Sequence, residues 1–195
     1  MHFALLLASL PGLALAAATA YVAPPMLLAK ANDPSNSCVL PGDYHICNFV
    51  ARSNDTGRTL FAYDFDYLDT ATNSSTTCHY DAATSKSTTP EGMTPRFPCE
   101  DRDVKFIWVD KMQKLVMIQR VCPDTTGIPA YEVSGSVVIP LVCGNTTSCV
   151  TNQTDFQSLF TSINPIRDAT VARHRRAADA VRHSDERDVA WPYDV

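Results

Sequence analysis

The stretch from Val104 to Cys143 constrains the fold more than any other part of the chain. Two apolar runs, Val104–Val109 and Lys114–Cys122, flank the polar turn Asp110-Lys111-Met112-Gln113. A third run, Tyr131–Cys143, returns after the loop Pro123–Pro129. All three are rich in Val, Ile and aromatics, short enough for strands and separated by turn residues, so they predict an antiparallel meander. Gly135 would permit a bend or bulge in the third strand, and Pro140 suggests an edge or a strand end.

The preceding segments extend this pattern. Asp43–Arg52 reads as a first strand, with Tyr44, Ile46 and Val50 on one face and Cys47 and Phe49 on the other. Ser53–Arg58 is turn chemistry. Thr59–Leu68 then alternates cleanly: Phe61, Tyr63, Phe65 and Tyr67 share one face, Ala62, Asp64 and Asp66 the other. A short strand through Cys78 is followed by the Ser/Thr/Pro-rich connection Asp81–Pro98. Roughly six or seven short strands with hairpin-scale connections predict an all-β domain, a small disulfide-stapled antiparallel β-barrel or sandwich. Thr154 reads as the cap of a short C-terminal helix over Asp155–Ser162, with Phe156, Leu159 and Phe160 as its apolar stripe.

Residues 1–20 read as a secretory signal. Phe3–Leu15 is apolar, and Ala14-Leu15-Ala16, Ala16-Ala17-Ala18 and Ala18-Thr19-Ala20 offer small residues for cleavage. Pro11-Gly12 interrupts the run, which falls short of the ~20 apolar residues of a membrane span. The expected organisation is therefore a signal (1–20), a flexible arm (21–37), a barrel domain (38–150), a short helical segment (151–166) and a charged tail (167–195). In the tail, Arg173-His174-Arg175-Arg176 resembles a dibasic processing site, with cleavage expected after Arg176. The terminus lacks the hydrophobic tail of a GPI signal.

Seven cysteines lie outside the signal, and with secretion they read as disulfide partners. Four sequons, at Asn54, Asn73, Asn145 and Asn152, fall in polar turn-like stretches and suit surface glycosylation. Between Ala31 and Ile166, nine Lys and Arg face fifteen Asp and Glu. An acidic domain without a basic stripe argues against nucleic acid and anionic membranes as partners.

The chemistry-bearing residues favour binding over catalysis. His45 and His79 are the histidines of the domain, and no Gly-x-Ser-x-Gly elbow, His-Glu-x-x-His pair, phosphate loop or zinc-spaced cysteine set accompanies them. Asp64, Asp66 and Asp69 lack the glycine turn and terminal glutamate of a calcium loop and read as an exposed strand face. The aromatic stripe with Trp108 reads first as core, and secondly as the lining of a cavity for an apolar ligand.

From Cys78 to Cys143 the layout resembles the Alternaria major-allergen-like family of secreted fungal proteins. The matching features begin with a cysteine pair around a loop and a strand carrying Phe106. They continue with a strand bearing Leu115, Met117 and Gln119 that ends at Cys122, then Gly135-Ser136 and apolar residues ending at Cys143. The resemblance implies a compact β-barrel without cofactor or metal, and the pairs Cys78–Cys99 and Cys122–Cys143. The first would close the Asp81–Pro98 loop and contribute about 3 kcal/mol by limiting the unfolded chain. Cys47 and Cys149 exceed the family pattern and are assigned to a third bridge, leaving Cys38 as a free thiol or the link of a disulfide-bonded homodimer. The family implies a secreted, non-catalytic protein of the allergen, elicitor or effector type with a host or cell-surface partner. A carrier of small apolar or phenolic ligands is the alternative, and a hydrolase the least favoured. No ligand-binding residue carries over.

Overall fold

The computed structural model describes residues 20–144 and 147–166. The signal segment, Asn145, Arg175, Arg176 and the charged tail lie outside the described residues. Within them the chain is all-β apart from one helix and a 3-10 turn: α1 (Pro25–Ala31), β1 (Asp43–Arg52), β2 (Ala62–Asp69), β3 (Ser74–Asp81), β4 (Phe97–Pro98), β5 (Val104–Val109), a turn at Asp110–Met112, β6 (Lys114–Pro123), β7 (Pro129–Val138), β8 (Leu141–Cys143), β9 (Ser148–Thr151) and β10 (Asp155–Pro165). The sheet runs β3-β2-β1-β10-β7-β6-β5-β4, every pair antiparallel. Its inward faces meet in one core containing Tyr44, Phe65, Tyr67, Phe106, Leu115, Met117 and Phe160.

The two ends of this path, β3 and β4, approach each other and nearly close a barrel. Their contacts follow one antiparallel register. Glu100 N–H donates to Thr77 O (3.0 Å), Cys78 is bonded to Cys99, and the rings of Tyr80 and Phe97 meet edge-on at 4.8 Å. A covalent link and an aromatic pair thus take the place of a ladder, at a seam whose outer strands would otherwise expose unpaired backbone.

β1 carries a bulge that redirects the sheet. Its register against β2 shifts between Cys47 and Val50, and Asn48 adopts φ 54°, a left-handed conformation that Asn tolerates better than most residues. The inward set therefore switches from Tyr44 and Ile46 to Phe49 and Ala51, and Val50 turns outward at 52% exposure. This corrects the expectation that Val50 continues the Tyr44 face, since an inserted residue inverts the period of two. Below the bulge β1 pairs with β10, above it with β9.

The segment expected as a C-terminal helix is the long strand β10. Phe156 and Phe160 are both buried, and a spacing of four satisfies a helical stripe and a strand face equally. Open partners on β1 and β7 decide for the strand. The arm departs from expectation in the other direction. α1 starts with Pro25 at its first turn, buries Leu27, and is tied down by Tyr21 N–H to Phe160 O (3.1 Å) and Lys30 Nζ to Pro123 O (2.7 Å).

The bridges are Cys38–Cys122, Cys78–Cys99 and Cys143–Cys149, with Cys47 free. The expected Cys122–Cys143 pair does not form because β6 and β7 are antiparallel: Cys122 precedes Pro123, which pairs with Pro129 at one end, whereas Cys143 follows Val138, which pairs with Lys114 at the opposite end. Eight strand residues, roughly 27 Å, separate those ends. Nor does Cys47 reach Cys149, which lies opposite Ala51 and inside the core. Cys38, expected to be free or intermolecular, is delivered to Cys122 by the docked arm, so it cannot link two chains.

Gly135 sits where β7 and β10 press together. A Cβ there would stand 2.2 Å from Leu159 O and 2.9 Å from the Tyr44 ring. Gly135→Ala is expected to lower stability by about 1–3 kcal/mol, the range for overpacking a filled core, in denaturant unfolding of the oxidised protein. An unchanged midpoint would contradict this packing.

The β1–β2 loop has a pH-sensitive anchor. The Thr59 hydroxyl first, then the Thr59 N–H and the Ser53 hydroxyl, hold the Asp55 carboxyl down to about 2. An unfolded Asp titrates near 3.9, so the stabilisation is full above ~4 and lost as pH falls through the folded value. Exchange of the Thr59 amide is expected to accelerate between pH 4 and 2 in a step that Asp55→Asn abolishes; an identical step in the variant would contradict the assignment.

Candidate functional site

The seam leaves one aromatic cleft, of about 230 Å³, beside the Tyr80–Phe97 pair. Four stretches of chain build it. β2 and the turn before it supply Tyr63 and Leu60, β3 supplies Tyr80, the approach to β4 supplies Thr94, Pro95 and Phe97, and β5 with its turn supplies Ile107, Trp108 and Asp110. Strand alternation explains the aromatic side: Tyr63 is inward on β2, and Phe97 lies opposite Phe106 on β5. The rings form a continuous layer, with Tyr63 4.8 Å from Tyr80 and 5.9 Å from Trp108. Trp108 packs in turn on Phe49 at 5.4 Å.

Asp110 gives this apolar layer its one carboxylate. Oδ1 accepts from Trp108 Nε1 (2.9 Å) and from the Leu60 N–H (3.1 Å), which fixes the carboxylate and leaves Oδ2 outside both bonds. Burial, then the neighbouring Tyr80 and Asp110, push the Tyr63 hydroxyl far above its ordinary range, so it stays protonated.

The aromatic stripe divides along its length. Tyr63 joins the cleft wall, whereas Phe65 and Tyr67 are core, the latter donating its hydroxyl to Gln119 Oε1. Phe61 precedes β2 and does not line the cleft. Leu60, Tyr80, Phe97 and Asp110 were not marked by any local pattern. Their common signal is position near the turns and ends of strands that topology alone brings together.

The carboxylates and histidines on the outer face serve one another. His79 Nδ1 bonds Asp64 Oδ1, while Asp66 accepts from Asn48 Nδ2 (2.9 Å) and Thr77 Oγ1 (3.2 Å). Asp69, expected on the exposed face with Asp64 and Asp66, is instead buried, since its odd position falls on the inward side of β2, and it caps the following turn through the Ala71 N–H (2.9 Å). Among the described residues, no group of three or more His, Cys, Asp or Glu is arranged to hold a metal ion.

Cys47 lies beside a histidine and an aspartate without forming a nucleophilic triad. Asp155 Oδ1 is 3.0 Å from His45 Nδ1 and 3.8 Å from Cys47 Sγ, so the carboxylate stands where a general base would have to be. Burial first, then Asp155 and Asp66, push the thiol up from its ordinary value. That environment disfavours the thiolate needed for attack.

Asn54, Asn73 and Asn152 are exposed, each in a turn or at a strand end. No described helix is long and apolar enough to cross a membrane.

No family model matches the chain and no curated protein matches it. Among solved structures it is similar to a crystal structure of the Alternaria alternata major allergen Alt a 1, with a TM-score of 0.43 and 16% identity over 65% of this chain and 96% of that one. A second crystal structure of the Alternaria alternata allergen Alt a 1 gives a TM-score of 0.37 and 18% identity, covering 63% of this chain and 84% of that one.

Proposed function

We propose that this chain is a secreted, glycosylated, non-catalytic interaction protein of the allergen or effector type. It binds a host or cell-surface partner through the aromatic cleft at the barrel seam. The observation that carries the reading is the cleft itself: the half-buried rings of Tyr80, Phe97 and Trp108, backed by the buried Tyr63, beside one fixed carboxylate. Such convergence of aromatic surface with a single oriented polar group is the usual make-up of a binding site. Three disulfides suit an oxidising compartment. The exposed Asn54, Asn73 and Asn152 are accessible to the glycosylation machinery of that route.

Carriage of a small apolar or phenolic ligand is the second reading, favoured by the same lining. The cleft volume, about 230 Å³, falls below the roughly 300–1,000 Å³ of sites that engulf drug-sized molecules. It suits a small group presented by a partner better than a multi-ring ligand.

The test is binding of the labelled, full-length secreted protein to intact host cells. Tyr80→Ala is expected to lower saturable binding by about tenfold, the loss of a single aromatic contact of about 1.4 kcal/mol. His79→Ala, on the outer face, is expected to leave it unchanged. Equal binding by wild type and Tyr80→Ala would contradict the cleft as the contact. Enhancement of N-phenyl-1-naphthylamine fluorescence by the cleft without any cell binding would favour the carrier.

A further inference from the structure

We propose that the cleft selects the head of a small organic cation, a methylated ammonium group, over neutral or acidic ligands of the same shape. This rests on the reading of the cleft as the binding site and names the chemistry it takes. Aromatic faces carry negative charge above the ring and attract a cation held within about 6 Å, most strongly for Trp and Tyr and where water is excluded. Tyr80, Phe97 and Trp108 offer three such rings around a single hollow of about 230 Å³, backed by the buried Tyr63. Tyr80 stacks on Tyr63 at 23°, but Phe97 meets Tyr80 at 69° and Trp108 meets Tyr63 at 45°, so the three half-buried rings do not share one plane. Walls at these angles surround a compact head from several sides, whereas a planar ring would lie flat against only one of them.

Asp110 supplies the counter-charge. Its Oδ1 is occupied by Trp108 Nε1 and the Leu60 N–H, so the carboxylate is held in place beside the rings rather than swinging in solvent. Arg58 and Lys111 line an adjoining hollow on which Asp110 also borders. Among the described residues no ion pair joins either of them to Asp110. The excess of Asp and Glu over Lys and Arg between residues 31 and 166 adds a field that draws cations toward the domain and repels acids.

The probes are choline and its neutral isostere 3,3-dimethyl-1-butanol, titrated against the full chain carrying Trp191→Phe so that Trp108 alone reports by fluorescence. Choline is expected to bind about tenfold more tightly than the isostere, the size of a desolvated cation–π contact. Asp110→Asn keeps an oxygen for the Trp108 and Leu60 donors. It is expected to weaken choline about tenfold and leave the isostere unchanged, with Tyr80→Leu weakening choline independently. Equal affinity for choline and the isostere, or choline affinity unmoved by Asp110→Asn, would overturn the cation preference. If Tyr80→Ala still lowers cell binding in that case, the binding-site reading stands while the cation inference falls. Equal cell binding by wild type and Tyr80→Ala would overturn both.

Discussion

The structure depends on how its sheet is closed. A strongly curved antiparallel sheet must either pair its two outer strands or hide their unmet backbone groups. Here β3 and β4 are too poorly paired to form a ladder. The register between them is kept by the Cys78–Cys99 bond, the Glu100–Thr77 hydrogen bond and the Tyr80–Phe97 contact. The covalent link spans 21 residues, and loops of that order contribute about 3 kcal/mol by restricting the unfolded chain. That is a large share of the stability of a small domain. Of the other two bridges, Cys38–Cys122 closes a longer span of 84 residues and restricts the unfolded chain at least as much, whereas Cys143–Cys149 closes only 6. Cys38–Cys122 fastens the arm across one end of the barrel, and Cys143–Cys149 joins directly opposed residues of β8 and β9.

Closing a sheet this way has a functional consequence. A full ladder between β3 and β4 would bring the strands together along their length and fill the space beside Tyr80 and Phe97. The contacts between β3 and β4 end at the Tyr80–Phe97 pair, and those half-buried rings line an opening beside it. Trp108 and Tyr63 are shared between core and cleft, so the wall of the site is as rigid as the packing behind it. Asp110, locked by Trp108 and Leu60, places a charge at that wall without burying it deeply.

Much of the fold was legible because it rests on local alternation. Val104–Val109, the strand from Lys114 and Asp43–Arg52 carry their pattern in consecutive residues. What escaped depends on longer-range facts. Phe156 and Phe160 fit two periods, and only the vacant edges of β1 and β7 select the strand. The bulge at Asn48 has no signal beyond the tolerance of Asn for a left-handed backbone. The disulfide partners of Cys38 and Cys143 depend on which end of the barrel each segment reaches, which antiparallel topology decides and spacing does not. Trp108 and Tyr63 could be named as cavity candidates from the sequence. Tyr80, Phe97, Leu60 and Asp110 could not, since they come from four separate segments that meet only at the seam.

The most direct measurement is hydrogen exchange on the Cys78→Ser/Cys99→Ser double variant beside the wild type. If the seam is held covalently, protection should fall along β3 and at the Glu100 amide, while the β6–β7 ladder keeps its slow exchange. Unchanged protection across β3 and β4 would mean that backbone pairing closes the barrel unaided. The cleft would then owe nothing to the staple.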